Sequence, residues 1–279
     1  MLLVFPQWSK QYGPVITVYL GLQRVVVLVG YETVKEALVD QAEDFSGRAP
    51  APFAYKATKG LLISNGERWR QLRRFTLTTL RDFGMGRKKM ESWIQEESKH
   101  LVDLLRENQR ESIYEIDNVI GQTRSPTMED RKSLPFTNAV IHEAQRFLDL
   151  VPLNVPHYAT KDISFKGYII PKDTVVIPLL HSVLKSVDQW DNPWTFNPNH
   201  FLDHNGNFKL NPAFIPFSSG KRACVGESLA RMELFLFLVT LLQHFTFSSP
   251  GGPESVDISP EFSSLGNIPR RYQLIAAPR

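Results

Sequence analysis

The only cysteine of the 279-residue chain, Cys224, lies in the segment F-S-S-G-K-R-A-C-V-G, residues 217–226. A single cysteine excludes an intramolecular disulfide, so Cys224 is either a small buried apolar residue or a metal ligand. A buried inert thiol is the more common case, but the neighbours favour a ligand. Gly220 and Gly226 let the backbone approach a flat ligand, and Arg222 supplies a cation for an acidic group on that ligand. The residues that follow predict a helix whose N-terminal dipole favours a thiolate just before it.

Two further pairs have spacings that suit chemistry. Trp69 and Arg73 stand four residues apart in the basic segment E-R-W-R-Q-L-R-R, so on a helix both side chains point the same way and could clamp one acidic edge. The alternative is a core anchor beside a solvated charge. Glu143 and Arg146, in H-E-A-Q-R, are spaced for an ion pair on one helical face. On the surface such a pair stabilises little, whereas breaking a buried pair is costly.

The elements that must position these residues follow from apolar periodicity and turn residues. Residues 15–29 predict a β-hairpin around G-L-Q-R, and short strands are expected near residues 164–170 and 175–180, before a proline- and asparagine-rich meander. Helices are expected over residues 31–39, the basic segment after Gly66, residues 87–120 as one long or two abutting helices, residues 135–150, and from Glu227 onward. An irregular loop is expected around Pro50–Pro52. The apolar stretch 234–245 is too short to span a bilayer and predicts a core helix.

Composition describes an ordinary globular chain, with 42% hydrophobic and 22% charged residues. The net charge of +3 is too small to indicate a nucleic-acid partner. The first residues have neither the hydrophobic run of a signal peptide nor a transmembrane anchor. We expect one partial domain over residues 1–279, with a sheet-bearing part at 1–108 and a cysteine-loop part at 109–279.

The cysteine segment resembles the haem-binding loop of the cytochromes P-450, because every fixed position of F-x-x-G-x-R-x-C-x-G is met. The segments S-K-Q-Y-G-P-V-I-T-V-Y-L-G and F-S-G-R resemble sequences of the microsomal family 2 branch. The resemblance implies a mainly α (α+β) fold, here incomplete, with a small N-terminal β-sheet and a helical haem-binding portion. It implies haem b (iron protoporphyrin IX) as cofactor, with Cys224 as the axial thiolate and Phe217 shielding the sulfur from water.

The resemblance also assigns roles to the other candidates. The implied haem-propionate contacts are Arg48, Trp69, Arg73, His157 and Arg222, and Gly220 and Gly226 complete the cofactor loop. Glu143 and Arg146 match the E-x-x-R signature, a structural pair that ties its helix to the meander. His200 stands in F-N-P-N-H-F where many relatives have an arginine.

The implied reaction inserts one oxygen atom from O2 into an apolar small molecule, such as a xenobiotic, fatty acid or steroid-like compound. NADPH would supply electrons through a flavin reductase, and possibly cytochrome b5, docking on a cationic surface. That surface would comprise Arg68, Arg70, Arg74, Lys221 and Arg231, although ordinary solvated charges explain each equally well. Relatives lie on the cytoplasmic face of the endoplasmic reticulum, whereas a chain without the anchor would be cytoplasmic or peripheral. The apolar or small segments 50–62, 151–155 and 265–268 resemble substrate-contact regions.

One departure concerns the middle of the chain. Relatives place a long helical section between L-V-D-L-L-R-E-N and E-I-D-N-V-I-G, where this chain has only Gln109–Tyr114. That section carries the oxygen-activating helix, with a motif like A-G-x-D-T, and no comparable motif occurs here. We therefore assign no catalytic residue, expect weak or no monooxygenase activity, and expect uncovered apolar surface that favours aggregation or a partner. The helices on either side would fuse. Three alternatives stay open: an active monooxygenase, a haem-binding but catalytically incompetent isoform, and a non-haem fragment.

Overall fold

The computed structural model describes residues 4–49, 60–82, 109–251, 260–263 and 266–279. Its α-helices are α1 Val4–Tyr12, α2 Tyr31–Lys35, α3 Gly66–Asp82, α4 Gln109–Val119, α5 Pro135–Leu148, α6 His181–Leu184 and α7 Glu227–His244. Its strands are β1 Val15–Leu20, β2 Gln23–Leu28, β3 Gly47–Arg48, β4 His157–Tyr158, β5 Ile163–Phe165, β6 Tyr168–Ile170, β7 Val175–Pro178, β8 Phe245–Ser248, β9 Pro260–Ser263, β10 Asn267–Pro269 and β11 Ile275–Pro278. Short 3₁₀-helices span Asp130–Ser133, Pro198–Phe201 and Gly220–Arg222.

A five-stranded sheet in the order β1-β2-β7-β4-β3 joins the beginning and the middle of the chain. The predicted hairpin is confirmed as β1 and β2, with Gly21 at positive φ in the turn. Strand β7 pairs parallel to β2, and β4 pairs antiparallel to both β7 and β3. The last pairing sets Arg48 directly opposite His157. The sheet therefore brings together two site candidates that are 109 positions apart in the sequence.

Strand β2 is buried on both faces. Because successive side chains of a strand point to opposite faces, Val26 and Leu28 enter one apolar core while Val25 and Val27 enter another. The first core continues to Phe165 and into the meander, and the second packs against α1. The fold class expected from the sequence, a mainly helical α+β protein with a small sheet, is confirmed.

Helices α4, α5 and α7 pack around a third core. Its fully buried members include Ile116 of α4, Val140 of α5, and Leu236, Val239 and Leu242 of α7. Burial of these α7 residues confirms that residues 234–245 supply a core helix, although the chain changes to strand β8 at Phe245. The described helices contain none long and apolar enough to cross a membrane.

Several elements differ from the sequence prediction. Residues 31–39 begin as α2 but continue as a π-helical turn, Glu36–Asp40, closed by Gln41 N–H donating to Glu36 O at 2.8 Å. Helix α5 ends at Leu148 because Asp149 has left-handed φ. Helix α1 was not predicted. The loop expected at Pro50–Pro52 and residues 87–108 of the expected long helix lie outside the described residues.

The junction residues Gln109–Tyr114 belong to helix α4. At its first residue, the Gln109 amide donates to Phe247 O at 2.8 Å and accepts from Phe247 N–H at 3.0 Å. This two-way bond fastens the start of α4 to strand β8. Ser112 is fully buried one turn later. The junction is thus part of the packed fold, while the predicted fusion with the preceding helix depends on residues outside the described part.

Candidate cofactor site

The cysteine segment folds as a loop that turns back on itself before α7. The N–H of Cys224 donates to Phe217 O at 3.0 Å, and α7 begins three residues after the cysteine. Cys224 is exposed, which excludes the buried inert thiol. A Cβ on Gly226 would lie 3.9 Å from the Cys224 sulfur, an ordinary van der Waals distance, so the space at this position does not itself require glycine. The loop therefore presents its thiol outward, just before the N-terminus of α7.

Gly220 seats this loop on the π-helical turn. Its φ is +68°, and a Cβ at this position would come within 1.7 Å of the Leu38 carbonyl oxygen. Only glycine tolerates both conditions. An ion pair joins Lys221 of the loop to Glu43, three residues after the π-helical turn. The sequence prediction explained this glycine by approach to a ligand, whereas the structure shows a close approach to protein backbone.

Three arginines gather beside the loop. Arg48 is buried and donates to Val155 O at 2.6 Å. Arg222 is also buried and donates to Ser46 O at 2.6 Å and Ser64 O at 2.7 Å. Arg73 donates to Ala223 O at 2.9 Å, next to the cysteine. Their hydrogen bonds therefore end on carbonyl groups, which accept hydrogen bonds but carry no compensating charge.

The trio has no acidic partner within the described ranges, where none of the ion pairs includes Arg48, Arg73 or Arg222. Burial, and then the Arg222 guanidinium, lower the pKa of Arg48 to about 9. Burial, and then Arg73, lower the pKa of Arg222 to about 10. Burial also lowers the pKa of Arg73, with Cys224 opposing the change. Arg48 and Arg222 are thus held as uncompensated cations in a low dielectric, with the partly buried Arg73 beside them.

His157 faces the same cluster. Its Nδ1 lies 2.6 Å from Phe45 O, which can only accept, so Nδ1 carries the hydrogen and Nε2 is left with a lone pair. Burial and the nearby Arg48 are the main causes that lower the pKa of His157 to about 3. His157 Nε2, Arg48 Nε and Ser64 Oγ are all buried without a hydrogen-bond partner in the part of the chain that is described. Native proteins leave few such groups unsatisfied.

Trp69 forms one wall of the cluster. The guanidinium carbons of Arg222 and Arg73 lie 4.1 Å and 5.8 Å from the centroid of the Trp69 ring. The expected common direction of Trp69 and Arg73 on α3 is therefore observed. Beside them opens a cavity of about 440 Å³, which is lined by Glu43, Ser46, Gly47, Asn65, Gly66, Trp69, Arg70, Tyr158, Ala159, Thr160, Asp173 and Arg222.

Asn65, just before α3, was not singled out from the sequence. Its Oδ1 accepts from the Arg48 backbone N–H at 2.7 Å and from Arg222 at 3.1 Å, while its amide donates to Arg48 O at 2.9 Å. It therefore connects β3, α3 and the cysteine loop. The signal available in the sequence is an asparagine directly before a predicted helix start, a position that asparagine favours.

The cluster as a whole fits an acidic, flat cofactor. The buried cations require negative charge that the described chain does not supply, and the orphaned nitrogens offer unused hydrogen-bonding positions. The exposed thiol lies next to this cluster, because Arg73 binds the residue beside Cys224. An iron-bearing ring with acidic side groups would satisfy both parts of the site. Among the described residues no group of histidine, cysteine and acidic side chains could hold a bare metal ion.

A second charged centre lies on α5. Glu143 and Arg146 are 0% exposed and paired twice, with Arg146 Nε and Nη2 at 2.7 Å and 2.6 Å from the two Glu143 oxygens. Arg146 also donates to Leu184 O and Pro193 O. His200 Nδ1 lies 3.1 Å from Glu143 Oε2. Although burial raises it, the bonds from Arg146 and His200 lower the pKa of Glu143 overall. The pair thereby joins α5 to the meander.

Three residues of the expected cationic docking surface form ion pairs with acidic side chains. Arg70 pairs with Glu67, Lys221 with Glu43, and Arg231 with Glu227. Arg231 is half-buried and also contacts His142. Four of the five predicted surface residues, Arg68, Arg70, Arg74 and Lys221, are exposed, whereas Arg231 is not.

Comparison with known proteins decides the family. The family model described as Cytochrome P450 matches residues 1–114 and 109–276 of the chain. The chain belongs to the cytochrome P450 family. The two matched segments meet at residues 109–114, where the sequence predicted a missing middle section.

Curated cytochrome P450 proteins match along nearly the whole chain. It is 34% identical to cytochrome P450 2H1 of Gallus gallus over 99% of this chain and 89% of the relative. It is 34% identical to cytochrome P450 2F2 of Rattus norvegicus over 95% of this chain and 87% of the relative, and 33% identical to cytochrome P450 2F1 of Homo sapiens over 100% and 90%. The first alignment extends over 435 positions, more than the 279 residues of the chain, so this relative has residues without a counterpart here.

Proposed function

We propose that the chain binds haem b through the thiolate of Cys224 and the arginine cluster beside it. The observation that carries this proposal is the set of mutually repelling cations, Arg48, Arg73 and Arg222, with no acidic partner in the described chain. Such an arrangement costs stability by itself and is explained by an anionic ligand. Membership of the cytochrome P450 family supports the choice of haem over other anions.

Each residue has a distinct part in this site. Arg48, Arg222 and Arg73 would neutralise the two acidic groups of the cofactor, with Trp69 as the apolar wall. Protonation of His157 Nε2 is opposed in the bare cluster by burial and then by Arg48, and a carboxylate beside the ring would act in the opposite direction. The cysteine loop holds the thiol between Gly220 and Gly226, and Phe217 shields it. Glu143, Arg146 and His200 are structural, since they join α5 to the meander.

A thiolate-ligated haem supplies redox activation of O2, and we propose oxygen insertion into an apolar small molecule as the reaction class. Xenobiotic, fatty acid or steroid-like compounds are the proposed substrates. NADPH-derived electrons would come through a flavin reductase, and possibly cytochrome b5, at the cytoplasmic face of the endoplasmic reticulum or in the cytoplasm. Family membership supports the reaction class, and the exposed part of the cationic surface supports an acidic partner.

A haem-binding but catalytically incompetent isoform is the second candidate. It is favoured by the junction at residues 109–114, where the family match divides, and by the lack of an A-G-x-D-T-like motif in the sequence. This chain therefore lacks recognisable acid and alcohol groups for controlled proton delivery. Electrons reaching the site would then leak without forming product.

Haem titration of the purified chain tests the shared part of both candidates. We expect one haem per chain, with Arg222→Met weakening binding by about tenfold or more, because a charge-assisted bond is worth about 1.5–3 kcal/mol. The exposed Arg70→Met is the matched control and should bind as the original chain does. Equal affinity in Arg222→Met would refute the arginine site. Product formed per NADPH consumed, in the presence of reductase, then separates the active from the incompetent form.

A further inference from the structure

Helix α5 carries another buried polar side chain directly before Glu143, and this residue, His142, contacts Arg231 of α7. Its Nδ1 lies 2.7 Å from Asn138 O, and its Nε2 lies 2.9 Å from Arg231 Nη1 and 3.5 Å from Arg131 Nη2. A carbonyl only accepts and a guanidinium only donates. Nδ1 therefore carries the hydrogen, Nε2 is the acceptor, and the ring is neutral. Burial is the main cause that lowers the pKa of His142 to about 3, in agreement with this assignment.

His142 fixes the position of Arg231, the residue that contacts the loop. Arg231 also donates through Nε and Nη2 to Glu227 Oε1, at 3.0 Å and 2.8 Å. Its guanidinium carbon lies 5.1 Å from the centroid of the Phe214 ring and 5.3 Å from that of Phe217. A cation this close to an aromatic ring is attracted to it. Arg231 is thus held from several sides, with Phe217 as one of its contacts.

Phe217 continues the path to the thiol, because its carbonyl accepts the hydrogen bond from the Cys224 N–H. A contiguous set of contacts therefore leads from α5 through Arg231 to the cysteine. His142 itself packs among Phe201, Phe208 and Phe214, with ring centroids 5.4, 4.6 and 5.0 Å away. A flat neutral acceptor suits this aromatic pocket, whereas a positively charged one would be opposed by Arg131 and Arg231.

We propose that His142 is a positioning residue: it holds Arg231 against Phe217 and thereby fixes the loop that presents Cys224. Neighbouring residues of α5 then have complementary tasks, with Glu143 holding the meander and His142 holding the cysteine loop. The consequence for an axial thiolate rests on the proposed function. The positioning of Arg231 and Phe217 by His142 does not depend on the proposed function, because these contacts lie within the chain alone.

The single cysteine makes a direct test available. Selective ¹⁵N-cysteine labelling of the full chain, without added haem, gives one amide signal, that of Cys224. In His142→Phe, which keeps an aromatic ring but removes the acceptor, we expect the Cys224 amide to exchange with solvent about tenfold faster. His142→Gln, whose amide oxygen can replace Nε2, should restore slow exchange. Arg131→Gln is the matched control, since Arg131 approaches His142 without contacting Phe217, and should leave the rate within twofold.

Exchange of the buried amides of α7, measured by mass spectrometry, separates positioning from general destabilisation. The proposal expects these amides to be unchanged in His142→Phe. An unchanged Cys224 rate, or equal acceleration in α7, would overturn the proposal. If His142→Phe fails to fold, Arg231→Gln on the same amide decides the question by the same criteria. A chain that shows the expected amide exchange but gives no thiolate-ligated haem spectrum would refute the proposed function, while the positioning role of His142 would still hold.

Discussion

Replacing Arg48 by methionine should stabilise the chain without haem and weaken the chain's hold on haem. The pKa of Arg48 falls from 12.5 to about 9 in the folded state, and each pKa unit corresponds to about 1.4 kcal/mol. Folding therefore disfavours the charged guanidinium by about 5 kcal/mol at neutral pH. Methionine has a similar length and no charge, so this cost disappears in the variant.

The loss of hydrogen bonds in Arg48→Met offsets part of this increase in the free energy of unfolding. Arg48 donates to Val155 O at 2.6 Å, and a buried carbonyl left without a donor costs about 1–3 kcal/mol. The net expectation is that Arg48→Met raises the free energy of unfolding by about 2–4 kcal/mol. Urea denaturation of the full chain without haem measures this value, with Arg70→Met as the control because Arg70 is exposed and its pair with Glu67 contributes little.

The effect of Arg48→Met on haem binding should be opposite to its effect on the stability of the haem-free chain. With haem present, Arg48→Met loses a charge-assisted bond, and the dissociation constant should rise by about tenfold or more. Destabilisation of the haem-free chain by about 2 kcal/mol or more would refute the reasoning, since it would show that the chain already compensates the buried guanidinium.

Three further predictions follow from single contacts. Gly220→Ala should lower the free energy of unfolding by more than about 3 kcal/mol in urea denaturation, because its Cβ would lie 1.7 Å from the Leu38 carbonyl oxygen. The control Gly206→Ala, also at positive φ but with nothing within 4 Å of the new Cβ, should lower it by only about 1 kcal/mol. An equal decrease in both variants would contradict the contact argument. Glu143→Gln should lower the free energy of unfolding by about 3–5 kcal/mol, because it leaves the buried Arg146 without its countercharge. The surface variant Glu67→Gln should leave the free energy of unfolding nearly unchanged. A decrease below about 1 kcal/mol in Glu143→Gln would show that the pair does not stabilise the fold as proposed. His142 and His157 are neutral in the folded chain, where their pKa values are about 3 against an ordinary 6.5. Because the unfolded chain then binds protons at a higher pH than the folded chain, the free energy of unfolding should fall as the pH drops from 6.5 towards 3, by about 2 kcal/mol per histidine at pH 5. His142→Phe should lose about half of this dependence on pH, and an unchanged profile would contradict the assignment of a neutral ring.

Local sequence patterns predicted the elements of this fold more completely than their contacts. The β-branched runs on either side of G-L-Q-R and the apolar stretch 234–245 are local features of the sequence, so the hairpin and the core helix could be predicted directly. The π-helical turn could not, because residues 36–40 retain ordinary helical spacing. The pairing of Arg48 with His157 depends on strands far apart in the chain, and only the family resemblance placed both at one site.

The site shows the same division. Cys224 was identified from its loop motif, and Trp69 with Arg73 from helical spacing. Asn65, and the contact from His142 to Arg231, have no motif, since each depends on side chains brought together from three segments. Gly220 was correctly marked as special, but its reason, the Leu38 carbonyl, lies in a different element. Arg231 was expected on an open cationic surface, whereas its guanidinium faces inward.

The difference spectrum of the ferrous chain with carbon monoxide tests the central claim most directly. The full chain is loaded with haem and compared with Cys224→Ala, which removes only the exposed thiol. A thiolate-ligated haem predicts a strongly red-shifted Soret band in the original chain and its loss in the variant. The same spectrum in both chains, or no red-shifted band in either, would contradict Cys224 as the axial ligand.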